Sequence, residues 1–238
     1  SSKEKLINSL KIRMRSDVPV AFLLSGGIDS GGLVSIATKV FNKKVKTFSI
    51  VDDDPRYNEL EDIKKVCVDL NCNSEIIKIS KKDFLKNLTE LIQYHDGPVW
   101  TLAQYLQNLL MKSISLSNIK VVFSGAGADE MYGGYYDHFL LHLSSIKDKK
   151  VFAESLHFWK KNIRPFTRNP SFHNHDLFIK NKEEREYIYD GYKEISEYLN
   201  KPEKYLFKEK KISKNIFSNR RINEIFYETL PVVLHNED

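Results

Sequence analysis

The sequence predicts an α/β fold: a parallel sheet with helices on both faces, followed by a helical C-terminal half. Three observations predict it. Short apolar runs alternate with segments of helical periodicity in the first part of the chain. Glycine-rich turns follow the first and fourth of those runs. Beyond about residue 150 the strand signals stop while helical spacing continues. Strands alternating with helices imply parallel pairing through crossover connections, which places helices over both sheet faces.

The elements follow in order. Residues 1–15 carry Leu6, Ile7, Leu10 and Met14 at helical spacing, and Pro19 closes that element. Val20 to Leu24 is a continuous apolar run, the pattern of a strand buried on both faces. Gly26 and Gly27 break it, and Leu33, Val34, Ile36, Ala37 and Val40 resume at helical spacing. Val45 to Ile50 reads as a second strand, Leu60 to Leu70 as a helix and Ser74 to Ile79 as a third strand. Helices are predicted over 82–94 and 102–116, then a fourth strand over Lys120 to Phe123 and a helix from about 128. The rest is aromatic-rich, with prolines at 165, 170, 202 and 231. The expected division is an α/β core over 1–150 and a helical extension over 151–238.

Composition excludes several classes. An apolar fraction of 41% with 29% charged residues is globular, which rules out wholesale disorder. The longest apolar runs fall far short of a membrane span, so no membrane partner is expected. No leader pattern is seen at the start, and the cytoplasm is the default compartment. Cys67 and Cys72 do not fit C-x-x-C spacing and read as buried thiols on one helix. The net charge of +5, from 37 basic and 32 acidic residues, suits an anionic small ligand and does not argue for nucleic acid. One denser run, Lys208 to Lys214 and then Arg220-Arg221, could contact phosphates.

The first glycine-rich turn is Ser25-Gly26-Gly27-Ile28-Asp29-Ser30. A strand running through small residues into a helix gathers backbone N–H groups at the helix N-terminus, where the dipole favours an anion. Ser25 and Ser30 add hydroxyls, and Asp29 would repel a bare phosphate unless Mg²⁺ bridged them. The plain alternative is a tight turn with Asp29 or Ser30 as helix cap. Neither G-x-x-x-x-G-K-[ST] nor G-x-G-x-x-G is present, so this is neither a P-loop NTPase nor a standard dinucleotide site.

Ser-Gly-Gly-x-Asp-Ser after a buried strand instead resembles the pyrophosphate loop of the N-type ATP pyrophosphatases. Arg15 to Ser30 resembles the opening of the synthetase domain of glutamine-dependent asparagine synthetases. Thr47-Phe-Ser-Ile50 resembles that family's second strand. Ser124-Gly-Ala-Gly-Ala-Asp-Glu-Met-Tyr-Gly-Gly-Tyr135 resembles its second signature, and Leu230 to Asp238 a later stretch. The resemblance implies a HUP-like (adenine nucleotide alpha-hydrolase-like) fold. It implies an ATP-dependent amide ligase that activates a carboxylate, aspartate or a relative, as an acyl-adenylate with release of pyrophosphate. Ammonia or an amine then completes the amide. It implies that Leu24 and Ile50 give backbone contacts to the nucleoside. The loop Ser25, Gly26, Gly27, Asp29 and Ser30 holds pyrophosphate, and Ser124 and Gly125 lie on the ribose or α-phosphate side. Asp29 and Asp129 share Mg²⁺. A homodimer is an assembly this reading allows.

Some residues depart from the family pattern. Ala126 stands where the family carries Glu, a residue tied to adenylate formation. Alanine can neither accept a proton nor pair with an ammonium group. Three readings stay open: a substrate without that ammonium, a substitute such as Asp96 or Glu130, or weak or absent adenylation. Gly31 and Gly32 replace larger residues, which suggests a close approach to that backbone or a looser lineage. The chain is expected to lack the family's glutaminase domain, to depend on free ammonia or a separate glutaminase, and to be a fragment or short form. Two rivals to the ligase are weighed: a non-catalytic ATP- or AMP-binding module, and an RNA-modifying relative.

Weaker signals are given bland readings. His138 and His142 share a helix face as a solvated or partly buried pair. His173-Asn-His175-Asp176 is a loop, and the Asn87 sequon is fortuitous. Tyr132 and Tyr136 are expected in the core, with Tyr135 at the pocket edge. Asp96 and Trp100 fall in the family's substrate loop, Asp96 with a turn-forming alternative.

Overall fold

A computed structural model of the chain describes residues 1–55, 57–99, 101–189, 196–201 and 207–237. Two compact units divide it, one over Ser1–Ala126 together with Asn236 and Glu237 at the end of the last helix, and the other over Gly127–His235. Among the described residues no helix is long and apolar enough to cross a membrane.

The first unit holds α1 (Ser2–Arg13), β1 (Val20–Leu23), α2 (Ile28–Ser35), β2 (Lys46–Val51), α3 (Leu60–Leu70), β3 (Asn73–Lys78), α4 (Phe84–His95), α5 (Leu102–Leu116) and β4 (Val121–Phe123). The four strands form one sheet in the order β3-β2-β1-β4, and every pairing is parallel. Alternation along β1 and β2 sends side chains to opposite faces. Phe22 and Leu24 pack with Leu10 of α1, Val34 of α2 and Ile63 of α3. Ala21 and Phe48 pack on the other face with Leu110 and Ile114 of α5. Helices therefore cover both faces, as the sequence predicts. Fully burying a side chain such as Phe22 contributes about 1.5–3 kcal/mol.

The order of strand addition switches sides at β1. From β1 the chain moves to β2 on one side, and β4 lies on the other. In open parallel sheets this switch point opens a crevice beyond the strands' carboxyl ends. The turns after β1 and β4 meet there.

The two cysteines do not share a helix. Cys67 lies in the last turn of α3, Asn71 takes a left-handed cap with φ 48°, and Cys72 lies beyond it with its N–H on the Cys67 carbonyl at 3.0 Å. Both are half-buried, and burial together with the neighbouring Cys67 pushes the Cys72 thiol up to about 12.

The second unit holds α6 (Ala128–Tyr132), α7 (Tyr136–Ser145), α8 (Lys149–Asn162), α9 (Leu177–Lys180), α10 (Ile216–Phe226) and α11 (Thr229–Glu237), with short 3-10 turns between. Leu140, Leu141, Leu143, Trp159 and Phe178 form its apolar core. The helix expected from 128 breaks at Gly133, whose φ of 87° ends α6. That break cancels the i, i+4 relation of Tyr132 and Tyr136. Both are exposed, whereas Tyr135 is half-buried with its hydroxyl donating to Glu130 at 2.6 Å.

Beside the apolar core lies a polar one. Arg220 is 2% exposed and donates to Asp137 at 2.9 Å, to the Tyr187 hydroxyl at 2.5 Å and to Glu209. Arg185 bridges Glu209 and Glu228. Arg220 is therefore a core residue and not the surface phosphate contact its sequence neighbourhood suggested. Arg221 donates to the Glu130 carbonyl at 3.0 Å. The run 208–214 is not helical: the side chains of Asn219 and Asn223 of α10 accept its backbone N–H groups at Lys210, Ile212 and Ser213.

Candidate nucleotide site

The first turn is shaped by its own hydroxyls. The Ser30 hydroxyl accepts the Ser25 N–H at 3.0 Å and lies 2.9 Å from the Ser25 hydroxyl. The Ser25 hydroxyl in turn accepts the Gly27 N–H at 3.1 Å. These bonds curl the chain so that Gly27 becomes the N-cap of α2, and no side chain caps that helix. Neither Asp29 nor Ser30 serves as the cap, so the bland reading of this turn is not the one observed. A helix without a side-chain cap leaves first-turn N–H groups at Ile28, Asp29 and Ser30 for an anion.

Gly26 is held from the side. Its N–H donates to the Glu59 carboxylate at 3.0 Å, and a Cβ on it would stand 2.8 Å from Asp62 Cβ. The loop thus already binds one anion, a carboxylate of its own chain. Sequence reasoning passed over Glu59; an acid at the end of the β2–α3 connection, on the carboxyl side of the sheet, was the available signal.

The second turn packs on the first. A Cβ on Gly125 would stand 3.1 Å from the Ser30 nitrogen and 3.3 Å from Asp29 Cβ, so the two turns approach closely and a side chain there would press on that peptide. Ser124 folds back to accept the Ala126 N–H at 3.1 Å, and Ala126 is exposed. Leu24 is buried, with its N–H on the Phe48 carbonyl at 2.8 Å and its own carbonyl accepting the Ser49 hydroxyl at 2.6 Å. Its carbonyl therefore keeps one lone pair for a further donor. Ile50 pairs with Ile77 across β2 and β3. The structure thus brings together Ser25, Gly26, Asp29, Ser30 and Gly125 within the first unit.

Asp129 lies in the second unit, in the first turn of α6, with its carboxylate against Gly134. Glu130 beside it is 2% exposed, with one oxygen on Tyr135 and the other without a hydrogen-bond partner among the described residues. Burial and then the Glu130 bond push the Tyr135 phenol above its usual range. Asp96 caps α4 in the left-handed conformation, which matches its turn-forming alternative; Trp100 lies outside the described residues.

His138 and His142 do not act as a pair. His138 is buried with its Nε2 2.8 Å from Glu224, and His142 is exposed. Asp137, His138 and Glu224 bring ligand atoms within 4.8 Å of one another. Arg220 already occupies Asp137 and the His138 ring Glu224, so this cluster is an internal polar core. His173 contacts the Thr167 carbonyl, and Asn87 lies within α4.

The asparagine synthase family model matches residues 2–234. The chain is similar to a glutamine-hydrolysing asparagine synthetase of Bacillus subtilis, 30% identical over 169 residues, covering 71% of this chain and 23% of that protein. It is similar to amidase chyE of Penicillium rubens, 28% identical over 160 residues, covering 61% of this chain and 24% of that protein. The chain spans about a quarter of the length of these relatives. A solved structure, the NH3-dependent NAD synthetase of Campylobacter jejuni, aligns at 23% identity and a TM-score of 0.39, covering 56% of this chain and 58% of that one.

Proposed function

The chain belongs to the asparagine synthase family, and on that premise we propose that it is the nucleotide-activating part of an ATP-dependent amide ligase. The observation that carries this reading is the turn after β1: a helix without a side-chain cap, opened by two glycines and already binding a carboxylate at Gly26. In this reading a substrate carboxylate, aspartate or a relative, attacks the α-phosphorus of ATP and pyrophosphate leaves. Charge develops on the leaving oxygens, and the N–H groups of Ile28 to Ser30 stabilise it without having to reorganise. Ammonia, free or from a glutaminase, then attacks the acyl carbon and AMP departs.

The remaining assignments rest on the sequence signatures. Leu24 and Ile50 meet the nucleoside through their backbones, and Ser124 and Gly125 the ribose or α-phosphate. Asp29 and Asp129 are hard oxygen donors, the type Mg²⁺ prefers, and are assigned to it. Bound there, the ion would neutralise phosphate charge.

Ala126 favours a second reading, a module that binds ATP or AMP without turnover. It presents a methyl group on the exposed second turn, which can move no proton. One assay separates the two: ATP–pyrophosphate exchange with Mg²⁺, against aspartate and a panel of carboxylates, for this chain and for Ala126→Glu. Exchange by this chain with one carboxylate establishes adenylation and the substrate class. Exchange only by the variant makes Ala126 the disabling residue. Mg²⁺-dependent ATP binding with no exchange from either favours the binding module.

A further inference from the structure

We propose that Glu59 is a built-in competitor for the phosphate loop, a residue that sets how tightly the turn after β1 holds pyrophosphate. The inference rests on the nucleotide reading above and assigns a role to a residue outside both signatures. Its basis is the direction in which one carboxylate points. Glu59 occupies the N-cap position of α3, a place where the short side chains of Ser, Thr, Asp or Asn ordinarily bond the helix start. Its side chain makes no such bond. The start of α3 is served instead by Asn58, whose side chain accepts the Leu60 N–H at 2.9 Å. The Glu59 carboxylate turns away and accepts the Gly26 N–H at 3.0 Å.

The other acids of that turn behave differently. Glu61 pairs with Lys64 at 2.8 Å and Asp62 with Lys65 at 2.9 Å, each within its own helix. The contact is also placed rather than incidental. The α3 first turn presses on Gly26 so closely that a Cβ there would meet Asp62 Cβ at 2.8 Å and Glu59 Cβ at 3.4 Å. An incoming phosphate therefore meets a donor already taken at Gly26 and a negative charge against the loop. Once pyrophosphate has formed, the same carboxylate returns to Gly26 and favours its departure.

Charge repulsion at about 4 Å under full bulk-water screening, the weakest case for an exposed carboxylate such as Glu59, already corresponds to roughly fivefold in affinity. The test is calorimetric titration of the full chain with magnesium pyrophosphate and with ATP, for the wild type, Glu59→Gln, Glu59→Ala and Glu61→Gln. Glu59→Gln keeps a carbonyl acceptor for Gly26 and removes the charge. The proposal expects both Glu59 variants to bind pyrophosphate about tenfold tighter, with an unchanged melting temperature, and Glu61→Gln to match the wild type. Equal or weaker binding by folded Glu59 variants overturns it, as does an equal gain from Glu61→Gln. If neither the wild type nor any variant binds either probe, the nucleotide reading itself falls and the competition with it.

Discussion

The carboxylate of Asp129 lies where a Cβ on Gly134 would be. Its Cγ is 2.7 Å from that point, and one carboxylate oxygen is nearer still. The Gly133 and Gly134 N–H groups both donate to the Asp129 backbone carbonyl, at 2.7 and 3.1 Å. The glycine pair of the second signature is therefore a mould around Asp129.

Gly134→Ala must displace either the backbone or that carboxylate. Overpacking of this kind costs about 1–3 kcal/mol. Urea unfolding should show a loss of that size. In the proposed ligase, exchange should also fall at temperatures where the variant is fully folded, because Asp129 has moved. Unchanged unfolding would show that the loop yields freely and that the mould is not needed.

Gly32 gives the opposite expectation. It lies inside α2, and a Cβ there meets nothing within 4 Å; at Gly31 the nearest atom is Val66 Cγ1 at 4.0 Å. No close approach among the described residues requires either glycine. Gly32→Ala should stabilise the protein by about 0.5–1 kcal/mol through lost unfolded-state entropy. A higher melting temperature with the same denaturant slope is the expected result, and a lower one would mean the helix start needs the freedom.

Much of the sheet was legible because its signals are local. Val20 to Leu24 is apolar throughout, and the helix read over Leu60 to Leu70 matches α3 residue for residue. The first turn was legible for the same reason, since its glycines and serines lie within six consecutive residues. Contacts between distant segments were not. Glu59 is 33 residues from Gly26, and Asp137 is 83 from Arg220. No periodicity announces such pairs. Arg220 read as part of a basic surface because composition cannot tell a solvated charge from a buried, paired one.

Arg220 has three acceptors around its buried guanidinium, in Asp137, Glu209 and Tyr187. Removing it takes the cation from buried Asp137, while Glu209 keeps Arg185. Breaking a buried pair from one side costs about 3–5 kcal/mol. Arg220→Ala should lower unfolding stability by that amount, or leave the second unit unfolded by circular dichroism. Arg221→Ala, which loses one bond to the Glu130 carbonyl, should cost only about 1 kcal/mol. Similar losses at both positions would count against a special role for the buried network.

Glu224 sets a pH dependence whose sign can be worked out. Burial raises its carboxyl above the ordinary value of 4.5, although the hydrogen bond with His138 pulls the other way. Asp137 adds to the rise and Arg220 opposes it. A raised folded-state value means that the folded protein holds this proton more tightly than the unfolded chain does. The stabilisation is complete below about 4.5 and is lost as pH rises through the higher folded value. Glu224→Gln keeps an amide beside His138 and cannot ionise. Urea unfolding of both proteins over a pH series should show the wild type losing stability relative to the variant as pH climbs through that window, then running parallel to it. A difference that grows in favour of the wild type would mean that the His138 pairing outweighs burial.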